Sequence, residues 1–232
     1  MASRKYHDDP MGHRAEKDDL YDGFAEVAKA LASGRRTEIV DLLAQGQRPV
    51  EEISGEIGQS VANTSHHLRS MARAGLLTTR RDGTRIFYAL ASERVGGLWE
   101  ALRGVAGEHV AGLERLASAY LGDRTGIDLV DRRELAARLK RHEVVVLDVR
   151  PGAEYAAGHI AGARSVPITE LRRQLKALSK DVENVASCRE PYCVYADEAV
   201  RELNRRGFRA RRLIDGFPEW KRAGLPVAAG EG

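Results

Sequence analysis

The sequence predicts a multidomain chain, with a mainly α-helical N-terminal half and an α/β C-terminal half built on a parallel sheet. Three observations support this prediction. Apolar residues recur at helical spacing through about the first 120 positions. Short apolar strands alternate with helices after position 127. Between them, the segment Leu121–Gly126 interrupts the helical pattern with two glycines.

These patterns predict four segments. Residues 1–19 contain too few apolar groups to offset the cost of ordering, so we expect a disordered tail there. Residues 20–121 form the first domain, residues 122–126 a linker and residues 127–228 the second domain. A chain of 232 residues is long enough for two ordinary domains.

Bulk composition restricts the classes of protein. The net charge is only +3, from 37 basic and 34 acidic residues. No apolar run approaches the roughly 18 residues of a membrane span, and the polar start has no apolar segment typical of a secretion signal. Two cysteines cannot staple a small fold, and their scarcity fits a reducing compartment. We therefore expect a cytoplasmic protein with no membrane partner.

The first domain begins with three helices, which apolar spacing predicts up to Gly34, Gly46 and Gly58. Ser60 caps a fourth helix, which runs to about Ala74. A short helix, a tight turn and a second helix form the arrangement in which the second helix enters a DNA major groove. The chain therefore carries a helix-turn-helix pattern.

Two strands follow, Leu76–Arg81 and Thr84–Leu90, and Asp82-Gly83 between them is a strong hairpin signal. The arginines at the tip of this hairpin suit contact with phosphates or the minor groove. From residue 58 to residue 94, six arginines are opposed by only Asp82 and Glu93. That local excess of positive charge is typical of a nucleic-acid surface.

The fourth helix is polar for its length, with Leu68 and Met71 as its main large apolar groups. A helix with so little to bury presents most of its surface, and its residue types suit base edges and phosphates. The alternative is a merely solvated helix. The candidate DNA-binding residues are Ser60, Asn63, Thr64, Ser65, His66, Arg69, Arg80, Arg81, Thr84 and Arg85.

Four segments of this half resemble ArsR-type winged helix-turn-helix repressors: Ala28–Arg36, Thr64–Leu68, Ala74–Leu77 and Arg81–Arg85. The resemblance covers roughly residues 20–120. It implies a homodimer, paired through the first and last helices, that binds double-stranded operator DNA. A long apolar stripe falls on the counterpart of that last helix and suits dimerisation. Its members are Val95, Leu98, Trp99, Leu102, Val105, Ala106, Val110, Leu113, Leu116 and Tyr120.

Many relatives of this type sense metals through cysteines of the third helix or Asp/His pairs of the last helix. This chain has no cysteine before Cys188 and only an isolated Glu108-His109 in the last helix. His66 and His67 are adjacent, so on a helix they do not converge on one ion. We expect no metal and no cofactor, and interpret both histidines as DNA-facing or packing residues.

Both cysteines lie in the segment Ser187–Tyr195, between an apolar strand and an amphipathic helix. A cysteine between a strand end and a helix N-terminus faces backbone N–H groups and the positive end of the helix dipole. Such surroundings favour the thiolate, which is the nucleophilic form. The alternative is a pair of inert buried cysteines that act as small apolar residues.

The second half resembles a rhodanese domain over roughly residues 127–228. The matching segments are Leu147–Arg150, Glu154-Tyr155, Gly158–Ala163, Pro167, the cysteine loop, Asp215–Trp220 and Ala223–Val227. The resemblance implies an α/β rhodanese fold and a persulfide carried on Cys188. It also implies structural roles for Asp148, Arg150, Glu154 and His159, which we expect to pair with one another. One arginine bridging two carboxylates suits such a cluster.

The loop departs from the usual rhodanese pattern. Glu190 stands where glycine is usual, and Pro191 lacks an N–H for an anion. A carboxylate there repels thiosulfate, so we expect slow thiosulfate turnover. Cys193 instead suits a resolving thiol that attacks the Cys188 persulfide and leaves a disulfide or polysulfide bridge. The remaining predicted site residues of the loop are Arg189, Glu190, Pro191, Tyr192 and Val194.

The leading hypothesis is a homodimeric transcription repressor whose rhodanese domain accepts or senses sulfane sulfur through Cys188. The small donor is thiosulfate, a polysulfide or a persulfide. The alternative is primarily a rhodanese-type sulfurtransferase that uses its winged helix mainly for dimerisation. A bridge between the cysteines needs their Cα atoms within about 7 Å. Because the linker looks flexible, a sensor also needs contact between the cysteine loop and the long last helix or its dimer partner.

Overall fold

The computed structural model describes residues 12–230. Contacts divide the chain into two units. The N-terminal unit comprises Met1–Leu43 and Gln47–Val95, and the C-terminal unit comprises Ala44–Gly46 and Gly96–Gly232. The predicted linker, residues 122–126, lies inside the C-terminal unit. The domain limits inferred from sequence stay predictions.

The N-terminal unit consists of four helices and a small antiparallel sheet. In chain order its elements are α1 (Gly12–Leu31), α2 (Gly34–Leu43), β1 (Arg48–Pro49), α3 (Val50–Glu56), α4 (Val61–Arg73), β2 (Leu77–Asp82) and β3 (Arg85–Leu90). The strand order is β1-β3-β2, and β2 and β3 form the expected hairpin. The winged helix-turn-helix prediction is confirmed. Strand β1 pairs residues 48 and 49 with the wing and was not predicted.

Helical spacing places the core of this unit. Ile39, Ile53, Leu68 and Met71 are fully buried where α2, α3 and α4 pack. The Ser60 hydroxyl accepts the backbone N–H of residue 63, so it caps α4 as expected.

Two sequence-based expectations on the helices are corrected. Helix α1 begins at Gly12, inside the expected tail 1–19, where the Arg14–Asp18 ion pair at i,i+4 spacing supports the first turns. Residues 1–11 of that expected tail lie outside the described residues. The expected long last helix is two helices, α5 (Glu93–His109) and α6 (Leu113–Leu121). Gly112 between them has φ +84°, a left-handed conformation that ends α-helical geometry and suits glycine.

The C-terminal unit, which holds α5 from Gly96 onwards and α6, is mainly an α/β layer structure. Its further elements are β4 (Leu129–Val130), α7 (Arg132–Lys140), β5 (Val144–Asp148), α8 (Gly152–Ala157), β6 (His159–Ile160), β7 (Arg164–Ser165), α9 (Leu171–Gln174) with a 3-10 turn (Leu175–Ala177), β8 (Glu183–Ser187), α10 (Val194–Arg205), β9 (Ala210–Leu213), α11 (Phe217–Arg222) and β10 (Val227–Ala228). Strands β4, β6 and β10 were not predicted.

The main sheet is five-stranded and parallel, in the order β4-β9-β8-β5-β7, as the alternation of strands and helices predicted. Side chains alternate between two cores. Leu147 and Ala186 belong to the core that contains α10, and Val146 and Val185 belong to the core that contains Trp220 of α11. In a sheet covered on both faces, ligands gather at the carboxyl ends of the strands. The central strand β8 therefore directs the next residue, Cys188, to that edge.

Within residues 12–230, no helix has the length and apolar character needed to cross a membrane.

Candidate functional site

The six residues from Cys188 to Cys193, here called the sulfur loop, connect β8 to α10. A disulfide joins Cys188 and Cys193, whose Cα atoms lie 6.2 Å apart. Both side chains are buried, with 2% and 7% exposure. Cys193 is also the N-cap residue of α10, and Val194 is the first residue of that helix. The loop geometry therefore permits the bridge expected of a nucleophile and a resolving thiol.

A close approach by the loop before α11 fixes the first half of the sulfur loop. The Phe217 N–H donates to the Cys188 carbonyl at 3.0 Å. A Cβ atom at Gly216 would lie 2.1 Å from the Arg189 carbonyl oxygen, so any larger residue collides with the loop backbone. The glycine within Asp215–Trp220, a segment that resembles rhodanese domains, is therefore required by steric contact with the sulfur loop.

Two arginines hold the second half of the loop through the Pro191 carbonyl. Arg124 Nη2 donates to it at 3.0 Å and Arg212 Nη2 at 2.6 Å. Asp197, which is 1% exposed, orients both: its Oδ2 lies 2.6 Å from Arg124 Nε and its Oδ1 lies 2.8 Å from Arg212 Nε. Burial lowers the pKa of Arg212, and Asp197 opposes that shift. Arg124 belongs to the predicted linker, so this segment is bound to the sulfur loop.

Glu190 makes the contact between the loop and α5. Its Oε2 accepts the Tyr192 N–H at 2.9 Å and lies 3.6 Å from Arg103 Nη1. Arg103 Nη2 in turn lies 2.7 Å from Glu219 Oε1 of α11. A helix of the predicted dimerisation region therefore touches the sulfur loop, which is the contact that a sensor needs.

The expected structural cluster is arranged differently from its prediction. Arg150 binds Asp148 through two nitrogens and does not bridge it to Glu154. Glu154 pairs instead with Arg189, whose Nε lies 3.0 Å from Glu154 Oε1. His159 stacks on Tyr155 with ring centroids 3.7 Å apart rather than joining the carboxylates. This difference arises because α8 directs Glu154 towards the sulfur loop, where it is the counter-ion of Arg189.

Tyr192 is half-buried and lines a cavity of about 620 Å³ beside the loop. The other walls come from α6 and the predicted linker, including Leu113, Ala117 and Arg124.

On α4, the structure corrects one predicted DNA-binding residue. Thr64 is fully buried and shares one helix face with Leu68 and Met71, because positions i, i+4 and i+7 point the same way. It is therefore a core residue. The other predicted residues of this region lie at the surface or partly exposed: Ser60, Asn63, Ser65, His66 and Arg69. Burial and the charge of Arg36 lower the pKa of His67, which keeps it neutral at pH 7.

The wing presents Arg80, Arg81, Thr84 and Arg85, all exposed. Arg80 lies over the Phe87 ring at 4.8 Å and pairs with Asp82 at 3.1 Å. Arg81 Nε donates to the Gly83 carbonyl at 3.1 Å. These contacts orient guanidinium groups near the hairpin tip, where the sequence predicted phosphate contacts.

Sequence reasoning missed four residues that hold the sulfur loop: Arg103, Arg124, Asp197 and Arg212. Arg103 is separated from Glu219 by 116 positions and Arg124 from Asp197 by 73. No local pattern signals such pairs.

The winged helix-turn-helix and the α/β unit with its parallel sheet together define a DNA-binding regulator that carries a rhodanese-like domain. Residues 33–79 match the model of bacterial regulatory proteins of the arsR family, and residues 131–223 match that of the rhodanese-like domain. The chain is 44% identical, over 219 residues, to the HTH-type transcriptional regulator Rv0324 of Mycobacterium tuberculosis, covering 94% of this chain and 96% of that protein. It belongs to this family of ArsR-type transcriptional regulators that carry a rhodanese domain.

Two further relatives each match one half. A sulfurtransferase of Allochromatium vinosum is 32% identical over 108 residues, which covers 46% of this chain and 99% of that protein. The homodimeric winged helix-turn-helix DNA-binding domain of Mb0332 from Mycobacterium bovis is 40% identical. That match covers 47% of this chain and 94% of the domain, with a TM-score of 0.39.

Proposed function

We propose that this regulator is a cytoplasmic, homodimeric repressor whose sulfur loop accepts sulfane sulfur on Cys188 and converts it into a Cys188–Cys193 bridge that changes operator binding. The observation that carries the proposal is the bridged pair in a loop held by Arg103 of α5. Without a contact to another element, a reactive cysteine pair could only transfer sulfur. The contact with α5 allows the oxidation state of the two cysteines to affect the rest of the regulator.

The proposed chemistry has two balanced steps. The Cys188 thiolate attacks the sulfane sulfur of a persulfide R–S–SH, so a Cys188 S–S bond forms and the donor leaves as the thiolate RS⁻. The Cys193 thiolate then attacks Cys188 Sγ, forms the bridge and expels hydrosulfide with the electron pair of the broken bond. Two equivalents of a small thiol reduce the bridge and become its disulfide, which resets the loop.

The order of the two cysteines follows from their positions. Cys188 directly follows the central strand β8, so its backbone is fixed at the carboxyl edge of the sheet. Cys193 lies at the start of α10, where it can meet the sulfur once it is loaded. We therefore assign the persulfide to Cys188 and resolution to Cys193.

Dimerisation is proposed from exposed apolar side chains that a second copy would cover. On α5 and α6 these are Leu98, Leu102, Val105, Leu116 and Tyr120, with exposures of 42% to 68%. On α1 they are Leu20, Tyr21 and Phe24, with exposures of 55% to 63%.

The test compares reduced and polysulfide-treated protein on DNA from upstream of its own gene and on random DNA. The reduced protein should prefer the first by about a thousandfold or more. Polysulfide should change the operator affinity by about 5- to 150-fold and should leave the nonspecific affinity unchanged. Bridge formation, followed by mass spectrometry, should coincide with that change. Bridged protein with an unaltered operator affinity would refute sensing and leave a transfer domain merely fused to a regulator.

The likeness to a sulfurtransferase supports a second candidate, in which catalytic sulfur transfer is the main activity and the winged helix serves dimerisation. Purely nonspecific DNA affinity together with multiple turnovers of a sulfur donor would favour it.

The DNA surface yields a separate prediction. Arg81→Ala and Arg85→Ala should weaken binding to every sequence and flatten its salt dependence, because the wing arginines contact phosphates. Asn63→Ala and Ser65→Ala should instead relax the preference at particular base pairs, each by about 1–3 kcal/mol. Equilibrium titrations on operator and random DNA at several salt concentrations measure both effects. Thr64→Val is the matched control on the same helix, and equal losses on both DNAs for all variants would show that α4 does not read bases.

A further inference from the structure

Half of the residues of the sulfur loop offer no backbone N–H to an anionic donor. In a loop between a strand and a helix, backbone N–H groups are the normal seat for the donor's negative charge. Here Pro191 has no N–H, the Tyr192 N–H donates to Glu190 Oε2 at 2.9 Å, and the Cys193 N–H donates to the Glu190 carbonyl at 3.1 Å. Three consecutive positions therefore direct no N–H outwards.

The arginines around the loop are likewise paired with carboxylates. Arg189 pairs with Glu154, and Arg103 pairs with Glu190 and Glu219. Arg124 and Arg212 both pair with Asp197. Four guanidinium groups thus meet four carboxylates, so the loop surroundings carry no excess positive charge for a dianion. Burying a doubly charged donor without compensation is costly.

We propose that Glu190 is a specificity-determining residue whose carboxylate fills the anion seat of the sulfur loop, so that the loop accepts sulfur from alkyl persulfides and rejects thiosulfate. This inference rests on the proposed acceptance of sulfur by Cys188, and it names the donor class.

The two donors differ in the charge that must enter and leave the loop. In both, Cys188 Sγ forms a bond to the sulfane sulfur as the donor's S–S bond breaks. Thiosulfate enters as a dianion and releases sulfite, which carries away the electron pair and both charges. An alkyl persulfide with a neutral alkyl group releases a thiolate with a single charge. Only the first donor must bring two charges against Glu190, so the carboxylate discriminates between them.

Arg103 acts as a positioning residue for this carboxylate. Its side chain is 12% exposed and that of Glu190 is 15% exposed, so the fold largely encloses both groups. The Tyr192 N–H and Arg103 approach the same oxygen of Glu190, which keeps that oxygen over the loop backbone.

The experiment uses the full reduced chain with Cys193→Ser, which prevents bridge formation and leaves the adduct on Cys188. Rates of adduct formation are measured by mass spectrometry with thiosulfate and with 2-hydroxyethyl persulfide. Glu190→Gln removes the charge and keeps an oxygen that can accept the Tyr192 N–H. We expect it to raise the ratio of the thiosulfate rate to the persulfide rate by about tenfold or more. Glu198→Gln, an exposed glutamate of α10, is the control and should leave the ratio unchanged.

Salt dependence separates a charge effect from a change of loop shape. With Glu190 present, raising the ionic strength to about 1 M should speed the thiosulfate reaction, because salt screens repulsion. In Glu190→Gln this acceleration should be smaller, because only the Cys188 thiolate then repels the dianion, and the persulfide rate should depend less on salt in either protein.

Each remaining outcome is informative. Equal rates with both donors before substitution, or an unchanged ratio in Glu190→Gln, would overturn the assignment of Glu190 alone. If neither donor forms an adduct on Cys188, both the proposed function and this inference are overturned.

Discussion

Cys188→Ser is expected to abolish sulfur uptake by the chain, whereas Cys193→Ser is expected to take up one sulfur atom and retain it as a persulfide. The reason is the proposed division of roles in the sulfur loop, in which Cys188 receives the sulfur and Cys193 resolves it. Without Cys193 no thiol of the same chain lies in the loop to expel hydrosulfide, because the sequence has only two cysteines. Intact-mass measurements after treatment of the reduced proteins with polysulfide give both results.

The two serine variants are matched controls for each other, since each removes one sulfur atom from the same loop. In wild type the adduct should be short-lived and the bridge should accumulate as hydrosulfide is released. A Cys188→Ser protein that still gains sulfur at Cys193 would reverse the assignment. Operator titration extends the test, because neither variant can form the bridge and neither should show the polysulfide response of wild type.

Asp197→Asn is expected to lower the free energy of unfolding of the C-terminal unit by about 3–5 kcal/mol. The carboxylate is 1% exposed and is the ion-pair partner of Arg212, which is 3% exposed. An amide keeps the shape but leaves that guanidinium buried without its counter-ion. Both tryptophans, Trp99 and Trp220, belong to the C-terminal unit, so denaturant unfolding followed by their fluorescence reports on it.

Asp181→Asn is the control for this substitution, because Asp181 is exposed and an equal charge change there should alter stability by less than about 0.5 kcal/mol. Asp197→Asn should also accept sulfur more slowly than wild type, since Arg124 and Arg212 lose the carboxylate that orients them towards the Pro191 carbonyl. Similar unfolding curves for Asp197→Asn and wild type would show that the arginine pair does not depend on Asp197.

Local patterns predicted most of the elements that position the two sites. The Ser60 cap, the Asp82-Gly83 hairpin and the strand before Cys188 each depend on neighbours within a few residues. Helical spacing also contained the information that Thr64 belongs with Leu68 and Met71 in the core. The core position of Thr64 was missed because threonine is a polar residue that is common at DNA-binding surfaces as well as in cores.

The break between α5 and α6 was missed because the apolar pattern does not show it. Apolar residues continue at helical spacing across Gly112, and only its left-handed backbone shows that the helix ends there. The pattern of side chains is thus preserved where the backbone geometry is not.

The sequence by itself determined the two folds and the family, and it predicted which cysteines react, because periodicity, turn signals and motifs are local properties. Only the tertiary structure decided how the charges of the sulfur loop are used. It pairs Arg189 with Glu154, Glu190 with Arg103, and Asp197 with Arg124 and Arg212. Ion pairing depends on distance in space and on burial, and partners that lie tens of residues apart leave no periodic signal. The sequence therefore predicted a sulfur-carrying loop, and the folded chain determined that its charges are already neutralised.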